Sequence, residues 1–280
     1  MRSRFAHLTG QQLATELRSM NTLTVVLVTV LMQIYAMQPI VNFCDAAGVN
    51  MTPFATVFVF SDIYYTYLST IMSLGMIALC AGAPFLSHYQ LQILMRTGRR
   101  RWLLGQVIYL FVLSFISTAF WAVCPLVCAF GRIEWSNQWG KIWTTLAYTD
   151  AANQMRIMLD VPTSIVTQYS PMEALMLSLS LRFLYIFMLG MIVFIGNLIS
   201  RSCGGVVIGT LMSILDWVLV SNGYSNFYLA SPLTISRLSM LDPKKIWINP
   251  TPTQAFTVLG GCVLLLIVYM LLPCRRHIDI

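Results

Sequence analysis

The sequence predicts an all-α, polytopic membrane protein with six transmembrane helices, an N-terminal amphipathic surface helix and both termini in the cytoplasm. Of its 280 residues, 58% are hydrophobic and only 10% are charged, whereas soluble domains average about 25% charged residues. Several apolar runs approach the ~20 residues that a helix needs to cross a bilayer. Basic residues concentrate in the short loops between these runs, which marks those loops as cytoplasmic. The net charge of +7 therefore reflects topology and does not indicate a nucleic-acid partner.

Residues 1–20 are expected to form an amphipathic helix at the cytoplasmic membrane surface. Arg4, Gln11 and Arg18 recur at a seven-residue spacing, so a helix would place them on one face and its apolar residues on the other. A cleaved signal peptide is the alternative. The apolar run that follows is too long for the core of a signal peptide, which favours the surface helix.

Six apolar runs are predicted to span the membrane within a single domain, residues 1–280. These are residues 22–41, 63–86, 102–124, 180–200, 206–221 and 254–273. The stretch 54–60 is apolar but too short to cross, and we interpret it as an approach to the second span at the membrane interface. Two polar stretches, 125–179 and 223–253, are predicted on the outer side. Aromatic residues of the first are expected to lie on the bilayer surface.

The loop between the second and third spans is the most basic part of the chain. It carries Arg96, Gly98, Arg99, Arg100 and Arg101 between two long apolar runs. Such a cluster favours a cytoplasmic loop, and it could also provide a docking surface for a cytoplasmic partner. The simpler interpretation is a topology signal combined with attraction to anionic lipid headgroups.

Three ionisable residues lie in or near the spans: Asp62, Arg182 and Asp216. The fourth and fifth spans should form an antiparallel hairpin, because only a short turn at 201–205 joins them. Arg182 and Asp216 would then differ in depth by roughly 5 Å at 1.5 Å per residue. The two side chains could pair, which would offset the cost of burying each charge, or they could share a polar cavity. Alternatively, Arg182 extends to the outer headgroups and Asp216 faces a translocation path alone.

Signals for catalysis are absent from the sequence. It contains no GxxxxGK[ST], HExxH or GxSxG motif. The seven cysteines lack zinc-site spacing, and the three histidines are far apart. We therefore predict no catalytic residue and no metal site. The shortage of carboxylates within the spans also argues against an ion-coupled transporter.

The layout of the chain resembles a known family. The second span ends in Ala81-Gly-Ala-Pro-Phe85 and leads into a cytoplasmic helical stretch, Leu91–Gln106. A further outer segment around Leu229–Thr234 separates the last two spans. This arrangement is similar to the membrane-spanning permease subunit of a type-2 ABC exporter, as found in Firmicutes and related bacteria. The long outer segment 125–179 departs from the commonest form of that family.

The resemblance implies how this protein would work. It implies a multi-pass protein of the bacterial cytoplasmic membrane, in contact with membrane lipids, that pairs with an identical or different permease. A separate cytoplasmic ATPase subunit would hold ATP and magnesium, so no cofactor is expected in this chain. The expected cargo is a peptide, a lipid or a hydrophobic compound. The family's coupling helix, which docks on the ATPase, corresponds here to residues His88, Arg96, Gly98, Arg99, Arg100 and Arg101.

A different class of function remains open at this stage. The chain could be a sensor, scaffold or immunity protein that transports nothing and binds a partner through its outer aromatic segment. An adjacent gene for an ATPase with a phosphate loop would favour the exporter over this alternative.

Overall fold

The computed structural model describes residues 19–62, 68–84, 98–223, 225–244 and 249–271. The predicted surface helix 1–20, the start and end of the predicted second span, and the last residues of the chain lie almost wholly outside this part. Within the described residues the chain is helical, and the only strand-like pairing is an isolated bridge between Met51 and Ile133. The all-α prediction is confirmed for these residues.

Eleven α-helices make up the described fold. They are α1 Met20–Ala47, α2 Ala55–Ser61, α3 Leu68–Cys80, α4 Arg99–Cys128, α5 Gly140–Tyr148, α6 Ala151–Gln154, α7 Thr163–Gln168, α8 Pro171–Ser200, α9 Gly204–Ser221, α10 Pro232–Ile235 and α11 Pro252–Leu271. Two 3-10 helices, Ser225–Ala230 and Leu238–Met240, flank α10.

Four of these helices, α1, α4, α8 and α11, are long and apolar enough to cross a membrane. The shorter apolar helices α3 and α9 correspond to the second and fifth predicted spans. Many large apolar side chains on the outside of the bundle are exposed, including Leu31, Phe115 and Leu265. These features are those of a membrane protein.

The ends of the long helices follow local sequence signals. The Ser19 hydroxyl accepts a hydrogen bond from the Thr22 backbone N–H (3.2 Å) at the start of α1, and Gly48 ends α1 in the left-handed conformation (φ 61°). At the start of α8, the Ser170 hydroxyl accepts from the Glu173 N–H (3.4 Å). Ser170 and Glu173 thus have the spacing of a capping box.

Two of the long helices extend well beyond the predicted spans that they contain. Helices α4 and α8 each contain 30 residues, which corresponds to about 45 Å of helix. The hydrocarbon core of a bilayer is only about 30 Å thick. Hydropathy locates the apolar part of a helix, whereas the capping signals set its ends, so α8 starts at Pro171 and not near residue 180.

Helix α8 lies at the centre of the bundle and packs on α3, α4, α9 and α11. Its contact with α9 is close because glycines face each other. A Cβ atom on Gly205 would lie 2.1 Å from the Val193 backbone oxygen, and one on Gly196 would lie 2.5 Å from the Gly205 Cα. Small residues at such positions let two helices approach closely in a membrane.

The short helix α2 corrects the interpretation of residues 54–60 as an interfacial approach. All seven residues of α2 are buried, and the helix packs against α3, α4 and α8. Its apolar side chains therefore belong to the protein core. Hydropathy cannot distinguish a helix buried in protein from one that is buried in lipid.

The segment between α4 and α8 folds over the end of the bundle. Trp143 is fully buried, its ring lies 4.7 Å from that of Phe58, and its Nε1–H donates to the Thr52 carbonyl (3.2 Å). Trp139 is also buried, whereas Trp135 is 80% exposed. The expectation that these aromatic residues lie on the bilayer surface is wrong for Trp139 and Trp143, because both pack into the protein core.

Candidate functional site

The core of the bundle contains a buried ion pair. The Asp216 carboxylate on α9 accepts a hydrogen bond from the Arg237 Nη2 and another from the Thr234 hydroxyl, both at 2.7 Å. The Arg237 and Asp216 side chains are 4% and 2% exposed. Thr234 lies on α10, and Arg237 directly precedes the second 3-10 helix. The short helices after α9 thus place both partners of the carboxylate.

Arg182 on α8 is the second buried cation in this region, with no exposed surface. Its Nη2 donates to the Phe60 carbonyl at the end of α2 and to the Ser69 hydroxyl (2.9 Å) on α3. Its guanidinium carbon also lies 5.4 Å from the centre of the Phe60 ring. Arg182 therefore joins three helices at one point.

The first alternative, a direct pair between Arg182 and Asp216, does not form. Asp216 pairs with Arg237, and Arg182 bonds to α2 and α3. The alternative arrangement is also wrong, since Arg182 is fully buried and Asp216 has two partners. The two residues interact only at longer range, within one electrostatic region that also includes Arg237.

These charged groups leave unused hydrogen-bonding capacity. The Nε and Nη1 atoms of Arg182 and the Nε atom of Arg237 have no hydrogen-bond partner among the described residues. This cluster contains two guanidinium groups, those of Arg182 and Arg237, and one carboxylate, that of Asp216. Buried charges are costly in a membrane and often mark functional sites. The arrangement can donate further hydrogen bonds to water or to an anionic group.

A row of hydroxyl groups on α3 extends the polar region. The Tyr185 and Ser73 hydroxyls are 3.0 Å apart, and the Ser73 hydroxyl donates to the Ser69 carbonyl (2.8 Å). All three residues are buried. The polar region thus continues along the contact between α3 and α8.

Asp62, the third predicted intramembrane residue, is buried directly after α2. Its charge acts on Asp160, which lies in the segment between α4 and α8. The pKa of Asp160 is raised above its ordinary value, mainly by burial and to a smaller extent by the negative charge of Asp62. Asp62 and Asp160 thus repel each other electrostatically, an interaction that the sequence did not predict.

Sequence reasoning missed Arg237 and Thr234. Both lie in the stretch 223–253, which was assigned to the outer side between the fifth and sixth predicted spans. The structure buries much of it, including Leu233, Thr234 and Ile235. The Ser231-Pro232 pair that starts α10 was an available signal, because serine followed by proline often begins a helix. Nothing in the sequence indicated that this short helix would face Asp216.

The predicted coupling residues fall partly within the described part. His88 and Arg96 lie outside it. Gly98 precedes α4 with a φ of 79°. Arg99, Arg100 and Arg101 form the first turn of α4, all three exposed and with no acidic residue in that turn. We call these three residues the arginine turn.

Asn197 on α8 links the end of α3 to the start of α9. Its Nδ2 donates to the Ala83 carbonyl (3.1 Å) and the Ala81 carbonyl (3.3 Å), directly after α3. Its Oδ1 accepts from the Gly205 N–H (2.9 Å) at the start of α9. One buried side chain on α8 thus holds the end of α3 and the start of α9 together.

Within the described residues, no group of three or more His, Cys, Asp or Glu side chains could hold a metal ion. The chain was also compared with protein-family models, with curated proteins and with solved structures, and no match was found.

Proposed function

We propose that this chain is the membrane-spanning permease subunit of an ATP-driven exporter in the bacterial cytoplasmic membrane. It moves a peptide, a lipid or another hydrophobic compound. A separate cytoplasmic ATPase holds ATP and magnesium, and a second permease, identical or different, completes the transporter. The observation that carries this proposal is the exposed arginine turn at the start of a 30-residue helix.

The position of the arginine turn is electrostatically unfavourable for α4 itself. The N-terminus of a helix carries a partial positive charge, so cations there destabilise the helix. Arg99, Arg100 and Arg101 therefore do not serve the stability of α4. Two interpretations remain. The first is orientation in the membrane, which would place this end of α4 in the cytoplasm, and the second is contact with an acidic partner surface.

The connections from this end into the bundle suit the transmission of a movement. Helix α4 packs along α1, α2 and α8. Asn197 fastens the end of α3 to α8 and α9. A displacement that an ATPase imposes at the end of α3 would reach α8 and α9 through these hydrogen bonds.

The proposed topology has six spans with both termini inside. The four long apolar helices supply spans one, three, four and six, and α3 and α9 supply the second and fifth. The segments after α4 and after α9 then lie on the outer side. In this arrangement, Arg182, Asp216 and Arg237 lie toward the outer half of the bundle.

The test is purification of the tagged chain from its native membranes, followed by identification of bound proteins and an ATPase assay. The double variant R99E/R100E should no longer co-purify with an ATPase, because it reverses the charge of the arginine turn, the proposed docking surface. The variant should remain folded, since acidic residues suit a helix N-terminus. R275E/R276E is the matched control, because it reverses two neighbouring arginines in the predicted cytoplasmic tail.

Two results would contradict the proposal. In the first, the wild-type chain co-purifies with no ATPase under conditions that preserve its fold. In the second, R99E/R100E retains both ATPase binding and ATP-dependent transport, which would reduce the arginine turn to a topology signal.

A second candidate function rests on exposed aromatic residues at the other end of the bundle. Phe130 is 85% exposed and Trp135 is 80% exposed, close together in sequence after α4. A sensor, scaffold or immunity protein could bind a partner through such side chains. Loss of partner binding in F130A/W135A, with no ATPase bound to the wild-type protein, would favour this alternative.

A further inference from the structure

A cleft of about 660 Å³ lies on the outside of the bundle, between α1 and the turn after α6. It is lined by Leu31, Ile34, Tyr35, Gln38, Pro39, Asn42, Met155 and Arg156. This volume is within the range of pockets that hold small organic molecules, about 300–1,000 Å³. None of these residues belongs to the arginine turn or to the buried ionic cluster of Arg182, Asp216 and Arg237.

The α1 wall of the cleft changes from apolar to polar along the helix. Leu31, Ile34, Tyr35, Gln38 and Asn42 recur at helical spacing and share one face of α1. Leu31 and Ile34 are exposed apolar residues, whereas the Gln38 amide donates to the Asn42 side chain (3.2 Å). The twelve residues of helix from Leu31 to Asn42 rise by about 16 Å. That length matches one leaflet, about half of the ~30 Å hydrocarbon core.

Among the described residues that line the cleft, Arg156 is the only charged one. Its side chain is exposed and makes no ion pair with a described residue. The cleft therefore combines an apolar track, a polar end and one available cation. This pattern is complementary to an amphiphile with an anionic head.

The backbone at Arg156 adds an independent observation. Arg156 has a φ of 52°, and it follows α6 with the hydrogen bonds of a Schellman motif, from Ile157 N–H to the Ala152 carbonyl (2.8 Å) and from Arg156 N–H to the Asn153 carbonyl (3.2 Å). Glycine is the usual residue at this position, because other residues are strained there. The sequence thus has an arginine where backbone stability alone favours glycine. Strain of this kind is often associated with a functional side chain.

We propose that this cleft binds one membrane phospholipid. Its phosphate lies at Arg156, and an acyl chain follows Ile34 and Leu31 along α1. The site is at the end of the bundle opposite the arginine turn, because α1 runs toward that end and the Met51–Ile133 bridge joins it to the end of α4. The proposal does not depend on ATP-driven export.

The test is native mass spectrometry of the purified protein titrated with phosphatidylglycerol and, separately, with phosphatidylcholine. R156G should weaken the first phosphatidylglycerol binding step about fivefold, the contribution of one basic residue near a membrane surface. R156K should bind nearly as well as wild type. The melting temperature of R156G should be unchanged or higher, since glycine suits this backbone.

R201G is the matched control. Arg201 also has a positive φ (54°), at the end of α8, so this variant makes the same change of charge and backbone outside the cleft. It should leave phosphatidylglycerol binding unchanged. A further variant, I34W, fills the apolar track and should weaken the binding of both lipids.

Three outcomes would overturn the proposal. The first is that R156G binds phosphatidylglycerol with wild-type affinity. The second is that R201G loses as much affinity as R156G. The third is that R156G loses affinity and I34W does not, which would indicate that the site binds an anion from solution without an acyl chain. A shift from dimer to monomer in I34W at unchanged lipid affinity would instead assign the cleft to a second copy of the chain.

Discussion

The buried pair of Asp216 and Arg237 allows a quantitative test of the ionic cluster. D216N leaves the Arg182 and Arg237 guanidinium groups buried without a carboxylate in the cluster. R237M leaves the Asp216 carboxylate buried with only the Thr234 hydroxyl as a partner. Removing one partner of a buried ion pair costs about 3–5 kcal/mol. Since most proteins have a total stability of about 5–15 kcal/mol, each variant should lose much of its stability.

The double variant D216N/R237M should be more stable than the sum of the single losses predicts. It removes both charges of the pair together, so neither partner of the pair stays buried opposite a missing charge, and only Arg182 remains in the cluster without a carboxylate. Residues in one network typically show a coupling of about 0.5–3 kcal/mol, and we expect the upper part of that range. T234V removes only one hydrogen bond to the carboxylate and should cost about 1.5–3 kcal/mol, the range for a hydrogen bond to a charged group. The measurement is the free energy of unfolding from SDS titration in lipid bicelles.

The exposed pair of Asp45 and Arg132 provides the control for this cycle. Its side chains are 50% and 40% exposed, so even with two hydrogen bonds D45N/R132M should show a much weaker coupling than the buried pair. Losses in D216N and R237M that add to within about 0.5 kcal/mol would refute the reasoning. That result would show that the buried pair does not act as one energetic unit.

Two further predictions concern packing and pH. G205A should lower the melting temperature strongly, because its Cβ would lie 2.1 Å from the Val193 backbone oxygen. G261A should be neutral or stabilising, since a Cβ there has no neighbour within 4 Å and alanine favours a helix; equal effects would contradict the close α8–α9 contact. D160N should be more stable than wild type at neutral pH in a thermal melt. Burial and Asp62 raise the pKa of Asp160 in the folded state, so its ionisation lowers wild-type stability as pH rises through that pKa. The advantage of D160N should vanish as pH falls toward the ordinary pKa of a carboxyl group, and an advantage independent of pH would exclude this explanation.

Within the described residues, the helical class and the positions of the apolar runs were predictable from sequence, because both depend on local composition. A long apolar run with few charges favours a helix that satisfies its own backbone hydrogen bonds. Each of the four long helices contains a predicted span, except that the last two residues of the sixth predicted span lie outside the described part. The helix ends were less predictable: the capping residues Ser170 and Glu173 set the start of α8 well before its apolar part begins.

The candidate site was predicted only in part. Asp62, Arg182 and Asp216 were identified because charged residues in apolar runs are rare and costly. Their partners were not identified, since Arg237 lies 21 positions from Asp216 and the Phe60 carbonyl lies 122 positions from Arg182. Counting residues along two helices gives the depth of each side chain in the bundle. It does not give the direction in which the side chain points.

The sequence by itself determined that this chain is helical, apolar and asymmetric in charge, because each of these properties is a sum over neighbouring residues. Only the tertiary structure decided which polar groups meet. In the structure, α2, α10 and two tryptophans are packed inside the protein. Hydropathy had instead placed them at the membrane interface or outside the membrane. The physical reason is that an apolar surface is buried equally well by lipid and by protein. Long-range packing determines which of the two covers each residue, and it thereby determines which partner each buried charge finds.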